Sequence, residues 1–201
     1  MEAKERIINK AWNLFFKYGF KSVSMDDIAA SAGMSKKTIY RFFTNKDALV
    51  DEVVALELKR EEESCVQKLD KSENAIHDFF LWLEQMDEML SMMNPLLMYE
   101  LEKYHSVTHE KFIKHQNKFF VEIIKSNLQR GIKEGLYKPD LNVDILSRFR
   151  FSSVFLVFNA DIFPHRKYSL IQVAQEITEN FLYGIATPRG QKLILKYKSK
   201  N

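Results

Sequence analysis

Breaks are scarce in this chain, and that scarcity constrains the fold more than any other feature. Six Gly and four Pro are spread over 201 residues, too few for the many tight reversals of a β-sandwich or barrel. The breaks fall at Gly19, Gly33, Asn94-Pro95, the run from Gly131 through Gly135 to Pro139, and Phe163-Pro164. No segment alternates polar and apolar residues with a strand's period, and no internal repeat or low-complexity tract appears. Apolar residues make up 46% of the chain and aromatics 13%, enough to build a core. The expected class is all-α, with about nine helices.

The apolar spacing between the breaks agrees. Ile8, Ala11, Trp12 and Phe15 fall at i, i+3, i+4 and i+7, one face of a helix over residues 4–18 that Gly19 ends. Ser24 is placed to cap a second helix, with Asp26 and Asp27 in its first turn near the positive dipole end. Met25, Ile28, Ala29 and Ala32 form its buried stripe. Gly33 follows, then Ser35 as the next cap, and a third helix to about Phe43. Two short helices joined by a glycine-containing turn make a helix-turn-helix, and the two alanines let them approach closely. Thr44 or Asn45 caps a fourth helix, from Lys46 to about Asp70. Later helices are expected over residues 73–93, 96–104, 108–133, 142–162 and 168–187. The basic tail, 189–201, reads as a solvated extension.

The net charge of +3 is unevenly spread. Residues 1–50 hold nine Lys/Arg against five Asp/Glu, residues 51–188 sixteen against twenty-two, and residues 189–201 five against none. A basic head on an acidic body suits a protein that binds nucleic acid with one end. The lone Cys65 excludes a disulfide framework and fits a reducing cytosol. Glu61, Glu62 and Glu63 just before it disfavour a reactive thiolate. The charged start "MEAKERIINKAW" has no signal-peptide core. The longest apolar stretch, "FSSVFLVFNADIF", contains Ser, Asn and Asp and is shorter than the ~20 residues of a bilayer span. A cytoplasmic protein without a membrane partner is expected. No Ser/His/Asp or Cys/His grouping, phosphate-cradling Gly loop or carboxylate pair stands out, so neither catalysis nor a cofactor is expected. His105 and His109, at i, i+4 with Glu102 nearby, have a spacing that can chelate a metal. Their polar setting at a helix boundary favours a solvated surface, so no metal is assigned, and a metal-responsive sensor stays an alternative.

The third helix carries the sharpest signal, "GMSKKTIYRFFTNK". On a helical wheel Ile39, Phe42 and Phe43 fall together and are expected in the core, while Lys36, Lys37, Tyr40 and Arg41 fall opposite, with Thr38 at the edge. The N-terminal end of the second helix of such a motif enters the DNA major groove, where Lys and Arg can reach guanine O6 and N7 or phosphates. Lys46, opening the next helix, is placed to add a backbone contact. Residues 7–49, "IINKAWNLFFKYGFKSVSMDDIAASAGMSKKTIYRFFTNKDAL", resemble the N-terminal domain of TetR/AcrR family transcriptional regulators. The resemblance lies in Tyr18-Gly19-Phe20, Asp27-Ile28-Ala29, Ala32-Gly33-Met34-Ser35, the Tyr-x-Phe-Phe at 40–43 and Asn45-Lys46-Asp47. The family often has Gly where Lys37 stands, which makes Lys37 a candidate added contact. The resemblance implies a homodimer on double-stranded operator DNA, with Ser24, Lys36, Tyr40 and Lys46 at phosphates, Lys37, Thr38 and Arg41 nearest the bases, and Ser35 also among the DNA-binding residues. It implies a DNA-binding domain over 1–48 and a ligand-binding and dimerisation domain over 49–201, with a small-molecule effector that releases a repressor from its operator.

The body offers two further expectations. "SSVFLVFNADIF" is apolar nearly all round, as a helix buried on two sides would be. Together with the final helix it places a dimer interface at Phe155, Phe158, Val173, Ile177, Phe181 and Gly184. The helices over 73–104 and 108–130 are rich in Met and aromatics, which suit an adaptable apolar pocket. Trp82, Met86, Met89, Tyr99, Phe112, Gln116 and Phe119 are the expected lining. A small-molecule-binding helical protein whose head plays a lesser role is the competing reading.

Overall fold

The structure, a computed structural model, describes residues 2–69, 71–164 and 166–199. Among these residues ten α-helices follow one another: α1 (Ala3–Tyr18), α2 (Met25–Ala32), α3 (Lys36–Phe42), α4 (Lys46–Leu69), α5 (Ala75–Met92), α6 (Leu97–Tyr104), α7 (Ser106–Lys133), α8 (Val143–Phe155), α9 (Leu170–Ile185) and α10 (Pro188–Lys198). Among the described residues no strand forms, and extended pairing is limited to one isolated bridge between Tyr137 and Ala186. The end expected for α4 near Asp70 lies outside the described residues.

The chain clusters into two compact units. One holds residues up to Glu63 with Met92–His115, the other Ser64–Ser91 with the residues from Gln116 onward. The first unit therefore contains more than the helix-turn-helix. Its core is Ile7, Ala11, Phe15, Phe20, Ile28, Ile39, Phe43, Leu49, Val50 and Val53. Around this core, α6 and the start of α7 attach by named bonds. Asn94 N–H donates to Phe16 O at 2.8 Å, and Lys21 N–H to Glu100 Oε2 at 2.9 Å. His105 Nδ1 lies 2.7 Å from Asp47 Oδ1, with its ring edge-on to Phe20. Thr108 and Lys111 both donate to Asp51.

In the second unit Ala75, Ile76, Phe79, Val121, Ile124, Leu128, Tyr137, Phe151, Phe181 and Leu182 form the core. A buried polar network closes one end. Asn127 donates to Asp78 Oδ2 at 2.6 Å and to Ala75 O at 2.8 Å, and the Tyr137 hydroxyl donates to Ala75 O at 2.9 Å. Burial pushes the Asp78 carboxyl up, and its hydrogen bonds to Ser72 and Asn127 oppose that. Gly131 is required here, because a Cβ would sit 2.0 Å from Tyr137 Cδ2.

Two expectations need correcting. The helix expected over 142–162 stops at Phe155, tightens into a 3-10 turn over Leu156–Phe158, and ends before Pro164. The tail is not a solvated extension through residue 199. It forms α10, capped by Thr187 with Pro188 in its first turn, and buries Gly190, Ile194 and Tyr197. Proline pre-sets the backbone angle of a first turn, and Ile194 and Tyr197 share one helix face. Residues 200–201 of that tail lie outside the described residues.

Candidate nucleic-acid interface

Local chemistry positions the helix-turn-helix. At the start of α2, Ser24 Oγ accepts from Asp27 N–H at 3.2 Å while Asp27 Oδ2 accepts from Ser24 N–H at 2.8 Å, a reciprocal capping box. Hydrogen bonds from the Ser24 hydroxyl and then from its backbone N–H hold the Asp27 carboxyl below its ordinary value. Gly33 ends α2 in the left-handed region at φ 62°, donating to Ala29 O and Ala30 O. A non-glycine residue adopts this conformation only with strain. Ser35 then caps α3, accepting from Thr38 N–H at 3.1 Å, with its hydroxyl 2.8 Å from Thr38 Oγ1. Asn45 Oδ1 caps α4 through Ala48 N–H at 2.8 Å.

Ile39 and Phe43 anchor α3 at 0% and 1% exposure. Phe42 is 41% exposed and does not join them. The reason is that α3 ends at Phe42 and Phe43 leaves it in an extended conformation, φ −133° and ψ 120°. That turn carries the Phe43 ring inward and leaves Phe42 on the flank.

The structure sorts the expected contact residues. Lys37, Tyr40 and Arg41 are exposed on one face of α3. Lys36 shares that face, but its ammonium pairs with Asp26 of α2 at 2.9 Å, which raises its pKa. The hydroxyls of Ser24 and Ser35 serve as caps, and that of Thr38 is engaged by Ser35 Oγ. Lys46 turns inward: its ammonium donates to the Phe20 carbonyl and lies over the Phe15 ring, and burial pushes its pKa down. Sequence reasoning missed the Asp26–Lys36 pair, although Asp26 had been placed in the first turn of α2.

The residues expected at a pocket belong to both units. Tyr99, 51% exposed, and Phe112 lie in the first, whereas Trp82, Met86, Met89, Gln116 and Phe119 lie in the second. Gln116 is buried and the other second-unit residues are half-buried. A cavity of about 730 Å³ lies elsewhere in the second unit, between α8 and α9. Its lining includes Val173, Ile177, Phe181 and Gly184, four of the residues expected at a dimer interface, and Ser153. Phe155 and Phe158 are half-buried nearby in sequence. His105 is committed to Asp47 and Phe20. Among the described residues no three His, Cys, Asp or Glu side chains converge as metal ligands, and no helix is long and apolar enough to cross a membrane.

A capped helix, a left-handed glycine turn and a second capped helix with a cationic outer face define a helix-turn-helix DNA-binding regulator built on an all-helical body. Residues 7–53 match the family model of bacterial regulatory proteins, tetR family. Residues 7–53 are thus a TetR-family DNA-binding domain. The chain is 28% identical over 143 residues to the uncharacterised HTH-type transcriptional regulator YhgD of Bacillus subtilis, covering 69% of this chain and 74% of that one. It is 26% identical over 196 residues to the HTH-type transcriptional repressor KstR2 of Mycolicibacterium smegmatis, covering 94% and 93%. Among solved structures, the regulator FadR of B. subtilis in complex with stearoyl-CoA shares the fold at a TM-score of 0.68 and 19% identity, over 90% of this chain and 98% of that one.

Proposed function

We propose that this protein is a non-enzymatic, cytoplasmic repressor that binds operator DNA as a homodimer and is released by a small, largely apolar effector. The exposed row Lys37, Tyr40 and Arg41 carries the reading, because the core side of the same short helix is held by Ile39 and Phe43. Lys37, Thr38 and Arg41 face the bases. Ser24, Ser35, Lys36, Tyr40 and Lys46 lie along phosphates, with Lys36 exchanging Asp26, and Lys46 the Phe20 carbonyl, for a phosphate oxygen. Residues 1–48 act as the DNA-binding part and 49–201 as the part for effector and partner.

Exposed apolar groups on α8 and just beyond it support dimerisation through α8 and α9: Ile145 is 62% exposed, Phe149 58% and Leu156 40%. Patches of this kind mark interaction surfaces. The cavity beside them, with Val173, Ile177, Phe181 and Gly184, would seat the partner's matching helices, and Phe155 and Phe158 would flank it. A two-fold dimer would set its recognition helices roughly 34–36 Å apart. The apolar effector is supported by the half-buried Trp82, Met86, Met89 and Phe119 beside Gln116, and by the stearoyl-CoA held by FadR. The effector shifts operator affinity through its differential binding to two states of the dimer.

The test is DNA binding against salt with short genomic fragments. If the dimer neutralises on the order of eight phosphates, log K falls with log salt at a slope of about −7. Lys37→Ala with Arg41→Ala should lower specific affinity at least about tenfold. Unchanged affinity at low salt would falsify the assignment of α3.

A further inference from the structure

Among the described residues, the second unit buries a cation with no anion paired to it. Arg150 on α8 is 6% exposed. One terminal nitrogen donates to Ser153 Oγ at 3.3 Å and the other to Thr178 Oγ1 at 2.8 Å. Its guanidinium carbon lies 5.5 Å from the centre of the Phe79 ring and 5.7 Å from that of Phe181. Among the described residues no carboxylate stands within ion-pairing distance, and burial alone lowers its pKa to about 10. A guanidinium has five N–H donors, and two neutral hydroxyls and two ring faces are a weak counterweight to its charge. An interior charge is costly unless it is paired, so this arrangement favours any anion that can reach it.

Trp82 adds an independent observation. Its ring meets Phe79 edge-on, with centroids 4.9 Å apart, so Phe79 touches both Trp82 and Arg150. The Trp82 Nε1–H is buried and has no acceptor among the described residues. Native cores rarely leave such a donor idle. Two donors short of acceptors, one of them charged, thus flank the same ring. Farther along α5, Met86 and Met89 follow Trp82 at i+4 and i+7 and are half-buried. Their thioether chains can move aside for an apolar guest. The helix rises about 15 Å from Phe79 to Met89, a length comparable to that of an extended alkyl chain.

We propose that the effector carries a carboxylate on an apolar chain. Arg150 and the Trp82 Nε1–H hold the carboxylate, and the chain lies along the Trp82, Met86 and Met89 face of α5. This rests on the effector-release reading above and gives the effector a chemical class. A carboxylate fits better than a polyphosphate head, because a flat guanidinium edge can donate to both of its oxygens at once. One arginine and one neutral N–H would leave a multiply charged head largely unneutralised.

Calorimetric titration of the full-length protein with dodecanoate, dodecanol and dodecanoyl-CoA tests this. Dodecanoate should bind at least about tenfold tighter than dodecanol. Arg150→Met should abolish that preference and leave dodecanol binding unchanged. It should also keep or raise the melting temperature of the free protein, since it removes an uncompensated charge. Trp82→Phe keeps a ring and should weaken dodecanoate binding about threefold, which preserves the test if the Arg150 variant does not fold. Equal binding of acid and alcohol overturns the proposal, as does an Arg150 dependence seen with dodecanoyl-CoA but not with dodecanoate. If none of the three binds, the carboxylate proposal also falls. The effector reading itself falls only if the small-molecule fraction of a cell extract fails to release the protein from its operator.

Discussion

The helix-turn-helix and the second unit satisfy their polar groups over different distances along the chain. In the head the helix caps pair sequence neighbours: Ser24 with Asp27, Ser35 with Thr38, Asn45 with Ala48. In the second unit the partners come from afar: Asn127 with Asp78, Tyr137 with Ala75, Arg150 with Thr178. The cap bonds lie at the surface, where water can replace a lost partner. The second unit's bonds lie inside, where a lost partner strands a polar group. Mutations of similar size should therefore act differently in the two regions.

The sharpest contrast within the head is between neighbours on α3. Phe43→Ala should lower stability by about 3–5 kcal/mol, as for a fully buried aromatic. Phe42→Ala should change it by no more than about 1 kcal/mol. Urea unfolding of both variants checks this, and equal losses would show that Phe42 belongs to the core after all.

In the second unit, Asn127→Ala should lose about 3 kcal/mol, because Asp78 keeps its buried charge and loses its closest donor. The loss should depend on pH. Burial raises the Asp78 carboxyl pKa above its unfolded value, so protonation favours the folded state. The burdened charge is fully present above the folded pKa and is relieved as pH falls through it towards the unfolded value. Removing the Asn127 donor raises the folded pKa further, so the gap between variant and wild type should narrow as the pH of the denaturation is lowered. A gap independent of pH would assign the loss to packing alone. Thr187→Ala should lose about 1 kcal/mol as a helix cap. Its side chain accepts from Gly190 N–H at 3.2 Å and donates to Gly135 O at 2.9 Å. No change in stability would make α10 peripheral.

The same contrast explains what could be read from the sequence. Caps, glycine turns and helical stripes act over a few residues, so α1 to α4 and the cationic face of α3 are legible in the sequence alone. Phe42 was misplaced because a wheel assumes that the helix continues, whereas the chain straightens at Phe43. The signal for α10 was present in Thr187-Pro188 and in the i, i+3 pair Ile194 and Tyr197, but the charge of the tail outweighed it. The attachment of α6 to the head through Glu100 and His105, and the isolation of Arg150, depend on residues far apart in sequence. No local window contains both partners, so neither feature could be inferred from spacing.

The smallest expected effect on stability bears most directly on DNA binding. Asp26 holds the Lys36 ammonium at 2.9 Å, with the two side chains 65% and 53% exposed. An exposed pair of this kind contributes little to folding, so Asp26→Asn should leave the melting temperature unchanged. Near DNA the pair matters more, because Asp26 brings a negative charge towards phosphates and occupies the cation that would meet them. Freeing Lys36 should raise operator affinity about two- to fivefold at low salt and steepen the salt slope by about one, the signature of one more neutralised phosphate. Fluorescence anisotropy across a salt series reads both quantities. A slope that does not move, in a variant that still binds DNA, would remove Lys36 from the interface and leave Lys37 and Arg41 to carry the cationic face of α3.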